Sequence, residues 1–172
     1  MRPSTALVRI PVGIVVERRK AVSPWIDFVW QAVAALPGQP DTEAWTVLSA
    51  EGDTTTFYAG GAEIELYRSE TGNYRDNLAS GTPSVWVALR PTGAEPPYAV
   101  AAVTADPAEG EGFTEAGSDL VEAVPMPDVI RAAVADFVAE HHVERDFVKR
   151  KRDRADPQAL ARRDPRREDD EE

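Results

Sequence analysis

Short segments rich in β-branched and aromatic residues, separated by glycine and proline, fill most of this chain between residues 8 and 104. Alternation of apolar and polar side chains over so few residues is typical of β-strands, because successive side chains of a strand point to opposite faces. The segment 25–36 could also form a short helix, but its aromatic residues and valines fit a pleated surface better. The predicted strands are residues 8–17, 25–36, 45–50, 54–59, 63–67, 84–90 and 98–104, with a last one at 119–124.

Turns that contain glycine separate the later strands of the first half at hairpin spacing. Glu51-Gly52-Asp53 and the pair Gly60-Gly61 each lie between two predicted strands. The glycine pair lacks the spacing of the phosphate-binding loops, so a tight turn is the preferred interpretation. The first half of the chain is therefore predicted to form an antiparallel meander.

Two later segments carry helix signals. Asp106 and Pro107 supply an acidic cap followed by a proline in the first turn, and Gly110 and Gly112 are expected to keep that helix short. Residues 128–142 place apolar side chains at three-to-four spacing, which predicts an amphipathic helix. We therefore predict an α+β fold: a largely antiparallel sheet or half-barrel with this C-terminal helix packed on it.

Charge divides the chain into a predicted single globular domain, residues 1–148, and a charged tail, residues 149–172, which is predicted to be disordered. The net charge is −11, and residues 1–143 carry 9 Lys and Arg against 20 Asp and Glu, which argues against a broad nucleic-acid surface. No run approaches about 20 apolar residues, so no membrane-spanning helix is predicted and the cytoplasm is the expected location. The chain has no cysteine, which excludes disulfides, thiolate zinc sites and cysteine nucleophiles.

The polar segment 68–78 stands out because its two arginines are the only cations between Lys20 and Arg90. It is predicted to form a short helix capped by Ser69 or Thr71. Two interpretations stay open: internal hydrogen bonds that satisfy a strand-to-helix junction, or recognition of an anion or a partner, for which the planar donors of arginine are suited. The candidate partner-binding residues of this segment are Arg68, Glu70, Tyr74, Arg75 and Asn77.

A second candidate partner-binding segment lies near the C-terminus, where an apolar anchor precedes a block of four cations. The pattern is compatible with a solvated tail, or with binding to nucleic acid, an acidic protein groove or an anionic lipid. Docking on a partner is the preferred functional interpretation. The residues concerned are Phe147, Lys149, Arg150, Lys151 and Arg152. A smaller basic cluster, residues 17–20, is predicted to be a loop that pairs with acidic side chains, and a binding role is the alternative.

Other residues with reactive or ligating side chains have structural interpretations. Adjacent histidines on a helix point about 100° apart, which suits a metal ion poorly, so His141 and His142 are predicted to cap the C-terminal helix. Glu63 and Glu65 share one strand face and are expected to lie on a charged outer surface. The four tryptophans, Trp25, Trp30, Trp45 and Trp86, are predicted to pack in the core or at its rim. No catalytic residue, metal ligand or cofactor is predicted.

Nine short motifs, taken together, resemble an uncharacterised bacterial family defined by a domain of unknown function. They are VGIVVERR (12–19), SPW (23–25), LPG (36–38), WTVL (45–48), RSET (68–71), YRDNL (74–78), PSVWV (83–87), VEAVPMP (121–127) and HHVERDFVKRKR (141–152). Genes of that family commonly sit among those for formate dehydrogenase and its maturation factors. Some relatives carry names that suggest molybdopterin-guanine-dinucleotide biosynthesis.

The resemblance implies a non-enzymatic accessory or assembly protein for a molybdenum- or tungsten-containing formate dehydrogenase, which binds a subunit or a maturation factor of that enzyme. The alternative is a nucleotide- or pterin-handling protein in molybdenum cofactor biosynthesis, with Arg68 and Arg75 holding phosphate. A nucleotidyltransferase of that pathway should carry a glycine-rich phosphate loop after its first strand. Residues 12–19 offer one glycine inside a predicted strand, so the accessory role is preferred.

Overall fold

The α+β fold is confirmed by the computed structural model, which describes residues 6–143. Within these residues the chain forms seven strands and three α-helices. Two short 3-10 turns lie at Arg68–Glu70 and Phe113–Ala116. The strands are β1 (Val8–Lys20), β2 (Phe28–Pro37), β3 (Thr46–Glu51), β4 (Thr54–Leu66), β5 (Ser84–Pro91), β6 (Tyr98–Thr104) and β7 (Leu120–Pro125). The helices are α1 (Thr71–Ala79), α2 (Pro107–Gly112) and α3 (Asp128–His141).

The described residues from 6 to 142 form one compact unit, and Val143 is the one described residue outside it. The predicted domain boundary at residue 148 and the predicted tail, residues 149–172, lie outside the described residues. Within residues 6–143 the longest helix is α3 with 14 residues, and no helix has the length and apolar content of a membrane span.

The strands form two open antiparallel sheets instead of a half-barrel. The first sheet has the order β2-β1-β4-β3 and the second has the order β6-β5-β7. The predicted meander of the first half is wrong, because β4 is long enough to pair along β1 on one side and with β3 on the other. β4 also lies beside β6, and β2 lies beside β7, so the two sheets enclose a common core.

Gly60 and Gly61 lie inside a strand, which corrects the predicted tight turn between residues 54–59 and 63–67. Ile14 pairs with Gly60 and Val15 pairs with Tyr58, so one extra residue of β4 is accommodated at this point of the ladder. Gly60 has a φ of 129°, a conformation that glycine adopts at low cost. The glycine pair therefore absorbs a β-bulge and lets one long strand continue where two were predicted.

The core lies between the inner faces of the two sheets and the apolar face of α3. Its fully buried side chains come mainly from β1, β4, β5 and α3, and include Val12, Ile14, Ile64, Leu66, Val85, Val87, Leu89, Ile130 and Val134. Burial of each such side chain stabilises the fold by about 1.5–3 kcal/mol relative to exposure. The predicted stripe of the C-terminal helix is confirmed at Ile130, Val134 and Phe137.

The two shorter helices begin differently. Asp106 caps α2 as predicted, because its carboxylate accepts the backbone N–H groups of Ala108 and Glu109. Neither Ser69 nor Thr71 caps α1, which corrects that prediction: the 3-10 turn runs directly into the helix, and the Thr71 hydroxyl donates backward to the carbonyl of Arg68 at 3.4 Å.

Candidate functional site

Tyr74 is a buried residue of α1 that holds the end of β4. Its side chain is 1% exposed, and its hydroxyl accepts the backbone N–H of Tyr67 at 2.9 Å. The pKa of Tyr74 is raised to about 12, chiefly by burial. The hydrogen bond from Tyr67 lowers this pKa, and the negative charges of Asp106, Glu70 and Glu109 make smaller contributions that raise it. The hydroxyl therefore stays neutral at physiological pH and serves as a structural hydrogen-bonding group.

Asn77 connects α1 to Ser84, the first residue of β5, and to Ala105, which follows β6. Its amide nitrogen donates to the carbonyls of Ser84 at 2.8 Å and Ala105 at 2.9 Å, and its amide oxygen accepts the N–H of Ser84 at 3.0 Å. The residue is 3% exposed. With Tyr74, it satisfies the strand-to-helix junction from within, which is the first of the two interpretations left open by the sequence.

The other candidate residues of the segment 68–78 lie at the surface. Arg68 and Arg75 are exposed, and Glu70 is half-buried and accepts the amide of Asn73 at 3.1 Å. A guanidinium nitrogen of Arg75 lies 3.3 Å from Nε2 of His142. Recognition of a partner by Arg68, Glu70 and Arg75 stays a prediction. The candidates Phe147, Lys149, Arg150, Lys151 and Arg152 lie outside the described residues.

The two histidines lie at the C-terminal end of α3, as predicted. The backbone N–H of His142 donates to the carbonyl of Val138 at 2.8 Å, and its Nδ1 lies 3.0 Å from the hydroxyl of Thr71. His141 packs on the ring of Phe137, with the ring centroids 4.6 Å apart. The pair therefore closes the helix and links it to α1.

A cleft of about 240 Å³ lies where β4 and β6 run side by side. Its walls carry Glu63, Glu65 and Glu109, and Arg9 pairs with the first two at 4.0 and 3.6 Å. Partial burial raises the pKa of Glu109, with further contributions from the charges of Asp106, Glu65 and Glu70. The cleft is lined by none of the predicted partner-binding residues. Within residues 6–143, no group of three or more His, Asp or Glu side chains is arranged to hold a metal ion.

The hairpin that joins β1 to β2 exposes a run of large apolar side chains, and we call residues 22–29 the hairpin tip. Trp25 is 91% exposed, which corrects its predicted packing in a strand at the core or rim. The exposed members of the hairpin tip are Val22, Trp25, Ile26, Phe28 and Val29. The other three tryptophans are partly buried, as predicted.

The backbone of this hairpin is held by hydrogen bonds at its base. The N–H of Ala21 donates to the carbonyl of Asp27, and the N–H of Lys20 donates to the carbonyl of Asp53, both at 3.0 Å. The hydroxyl of Ser23 accepts the N–H of Trp25 at 3.2 Å. The apolar side chains are therefore presented on an ordered turn.

Residues 17–20 belong to β1, which corrects the predicted loop. Arg18 lies over three rings, with its guanidinium carbon 4.5 Å from the centroid of Phe28, 5.2 Å from Phe57 and 5.6 Å from Trp30. Arg19 pairs with Glu17 at 3.0 Å. The strand continues through these charges, and aromatic side chains of β2 and β4 lie against the guanidinium of Arg18.

A family model described as a protein of unknown function, DUF3305, matches residues 11–151. The chain belongs to the DUF3305 family. The match covers both the segment 68–78 and the hairpin tip. No curated protein and no solved structure matches the chain. The expectation of an uncharacterised family is therefore confirmed, whereas the link to formate dehydrogenase stays a prediction.

In this DUF3305 domain the surface that sequence reasoning missed is the hairpin tip. Ser23-Pro24 marks a turn, and Val22 and Trp25 flank it directly. A large aromatic residue inside a turn has no strand neighbour to pack on, and this was the available signal for an exposed tryptophan.

Proposed function

We propose that this DUF3305 domain is a non-enzymatic accessory protein that acts in the cytoplasm by binding another protein through the hairpin tip. The observation that carries the proposal is Trp25, a 91% exposed tryptophan on an ordered hairpin. Exposed apolar patches of this kind mark interaction sites, because water contact with them is unfavourable and a partner removes it.

The composition of the hairpin tip suits a binding anchor. Tryptophan is enriched among the residues that dominate interface energies, and its loss at a well-packed interface typically costs about 2 kcal/mol or more. Ile26 and Val22 lie beside Trp25 in the turn and are also exposed. Together they form one apolar projection that a groove on a partner could enclose.

The partner that we propose is a subunit or a maturation factor of a molybdenum- or tungsten-containing formate dehydrogenase. The support for this choice is the resemblance of the nine sequence motifs, since the family description assigns no function. The exposed Arg68 and Arg75 belong to the proposal as a secondary contact surface. In the alternative role, the same two arginines would hold the phosphate of a nucleotide or pterin.

Co-purification tests the proposal. The tagged full chain is co-expressed with formate dehydrogenase subunits and maturation factors, in parallel with a Trp25→Ala/Ile26→Ala variant. Recovery of one of these proteins with the wild-type chain and its loss with the variant are expected. A Val129→Ala variant is the matched control, because Val129 is an exposed apolar residue of α3 outside the hairpin.

Two results would count against the proposal. Equal recovery of a partner by the wild type and the double variant would show that the hairpin tip does not contribute to binding. Failure to recover any of these proteins, together with a rise in melting temperature on adding a guanine nucleotide or molybdopterin that Arg68→Ala abolishes, would favour the alternative role.

A further inference from the structure

Arg18 is a cation held on an aromatic surface at the base of the hairpin tip. Phe28, Phe57 and Trp30 lie under its guanidinium, and its one hydrogen bond within residues 6–143 goes to the hydroxyl of Thr55 at a long 3.5 Å. Arginine stacked on rings uses the faces of the guanidinium, and its edge donors remain suited to a planar carboxylate. Contact with the rings already restricts the rotamers of Arg18. Pairing with a carboxylate therefore costs less conformational entropy than it would for a mobile arginine.

No carboxylate of the described residues forms an ion pair with Arg18. Its neighbour Arg19 is paired with Glu17, so the two adjacent arginines differ in this respect. A half-buried guanidinium with aromatic neighbours and no internal carboxylate is a preformed position for an external one.

The charge around the hairpin differs in sign from the rest of the domain. Residues 17–29 carry three consecutive cations, at 18–20, against two anions, Glu17 and Asp27, while residues 1–143 carry 9 cations against 20 anions. An acidic partner is repelled by most of this domain and attracted at the hairpin. Such complementarity orients the encounter and raises the association rate.

We propose that the hairpin tip inserts into an apolar groove on a partner protein, and that Arg18 pairs with a carboxylate at the rim of that groove. This inference rests on the proposed binding function and adds the chemistry of the partner surface. Trp25 and Ile26 supply the apolar anchor, and Arg18 supplies the selectivity for an acidic rim.

The charge distribution favours a protein groove over an anionic membrane. Surfaces that hold anionic lipids typically use clusters of about four to eight cations. The hairpin has three, of which Arg19 is already paired and Arg18 is stacked on rings. A negatively charged bilayer would repel the rest of the domain, in which acidic residues outnumber basic ones.

The test uses the full chain and synthetic probes. An amphipathic peptide of leucine and glutamate is compared with a matched peptide of leucine and lysine, and with vesicles of phosphatidylserine and phosphatidylcholine. Nuclear magnetic resonance follows the indole N–H of Trp25 and the Nε–H of Arg18. Concentration-dependent shifts of both signals with the acidic peptide alone are expected, and the affinity should fall as salt is added.

Variants assign the charge contact. Arg18→Gln should weaken binding of the acidic peptide by about tenfold, since truncating one partner of an interfacial charge pair raises its dissociation rate. Arg131→Gln is the matched control, because it removes an exposed arginine from α3. Arg18→Lys keeps the charge and should retain part of the affinity for the acidic peptide. This variant replaces Arg18→Gln in the test if Arg18→Gln does not fold.

Several results would overturn this inference and leave the docking role of the hairpin tip to be decided by co-purification. They are equal binding of both peptides, binding to the vesicles but to neither peptide, no binding of the acidic peptide, and an affinity that neither salt nor Arg18→Gln changes. Loss of co-purification with the Trp25→Ala/Ile26→Ala variant remains a separate measurement, so the two proposals can fail independently.

Discussion

At the scale of single residues, Asn77 joins three parts of the chain through one side chain. Asn77→Ala should lower the free energy of unfolding by about 3 kcal/mol, because the part-buried N–H of Ser84 and the carbonyls of Ser84 and Ala105 lose their partner. Asn73→Ala on the same helix should cost about 0.5 kcal/mol, since Asn73 has one bond to Glu70 near the surface. Urea unfolding measures both, and equal losses would contradict the assigned role of Asn77.

Tyr74 gives the domain a pH dependence with a definite sign. Its pKa is raised from 10.0 to about 12, so between these values the folded chain keeps a proton that the unfolded chain loses. The stability contribution is therefore complete below about pH 10 and is lost as pH rises toward 12.

The corresponding experiment compares wild type with Tyr74→Phe. Between pH 10 and 12 the free energy of unfolding of the wild type should fall by about 2–3 kcal/mol more than that of the variant, because one pKa unit corresponds to about 1.4 kcal/mol. The loss of the hydrogen bond to Tyr67 lowers the stability of the variant at every pH and leaves this difference in slope intact. Parallel pH profiles would show that the Tyr74 hydroxyl titrates normally.

At the scale of elements, α2 is placed by the close approach of a glycine to Trp86. A Cβ atom at Gly110 would lie 2.2 Å from Cγ of Trp86, so Gly110→Ala should destabilise the fold by about 1–3 kcal/mol. Gly112→Ala, at the end of the same helix, meets no atom within 4 Å and should be neutral or stabilising by up to about 1 kcal/mol. Thermal unfolding distinguishes the two variants. Equal changes in melting temperature would contradict the close packing of Gly110 on Trp86.

Helices and strands were predictable from the sequence wherever the signal depends only on residues close together in the chain. The Asp106 cap followed by Pro107 led to a helix, and the three-to-four spacing of α3 led to another, as both signals depend on neighbours in sequence. Gly60-Gly61 suits either a tight turn or a bulge, and the register opposite Ile14 decides between them. A ladder formed with a distant strand cannot be read from the glycines themselves.

The candidate site was only partly predictable for a related reason. The segment 68–78 was correctly placed as a strand-to-helix junction, but polarity alone could not separate the buried Tyr74 and Asn77 from the exposed Arg68 and Arg75. Likewise, the apolar residues of the hairpin tip resemble core residues in sequence. The exposure of Trp25 and Ile26 depends on where β2 begins, at Phe28 instead of Trp25.

At the scale of the whole molecule, the two sheets enclose one core, and the hairpin between β1 and β2 carries exposed apolar side chains beyond it. Sheet order could not be predicted, because β4 pairs with β1 across the intervening residues 21–53 and antiparallel pairing alone allows several orders. The functional consequence is an apolar and basic hairpin on a domain that is otherwise acidic.

The affinity of the Trp25→Ala variant for a co-purified formate dehydrogenase component tests the central claim most directly. Calorimetric titration should show a dissociation constant at least about tenfold weaker than that of the wild type, since an anchoring tryptophan commonly contributes about 2 kcal/mol or more. Val129→Ala should leave the affinity unchanged, and both variants should keep the wild-type melting temperature, because both side chains are exposed. An unchanged dissociation constant for Trp25→Ala would contradict the assignment of the hairpin tip as the binding surface.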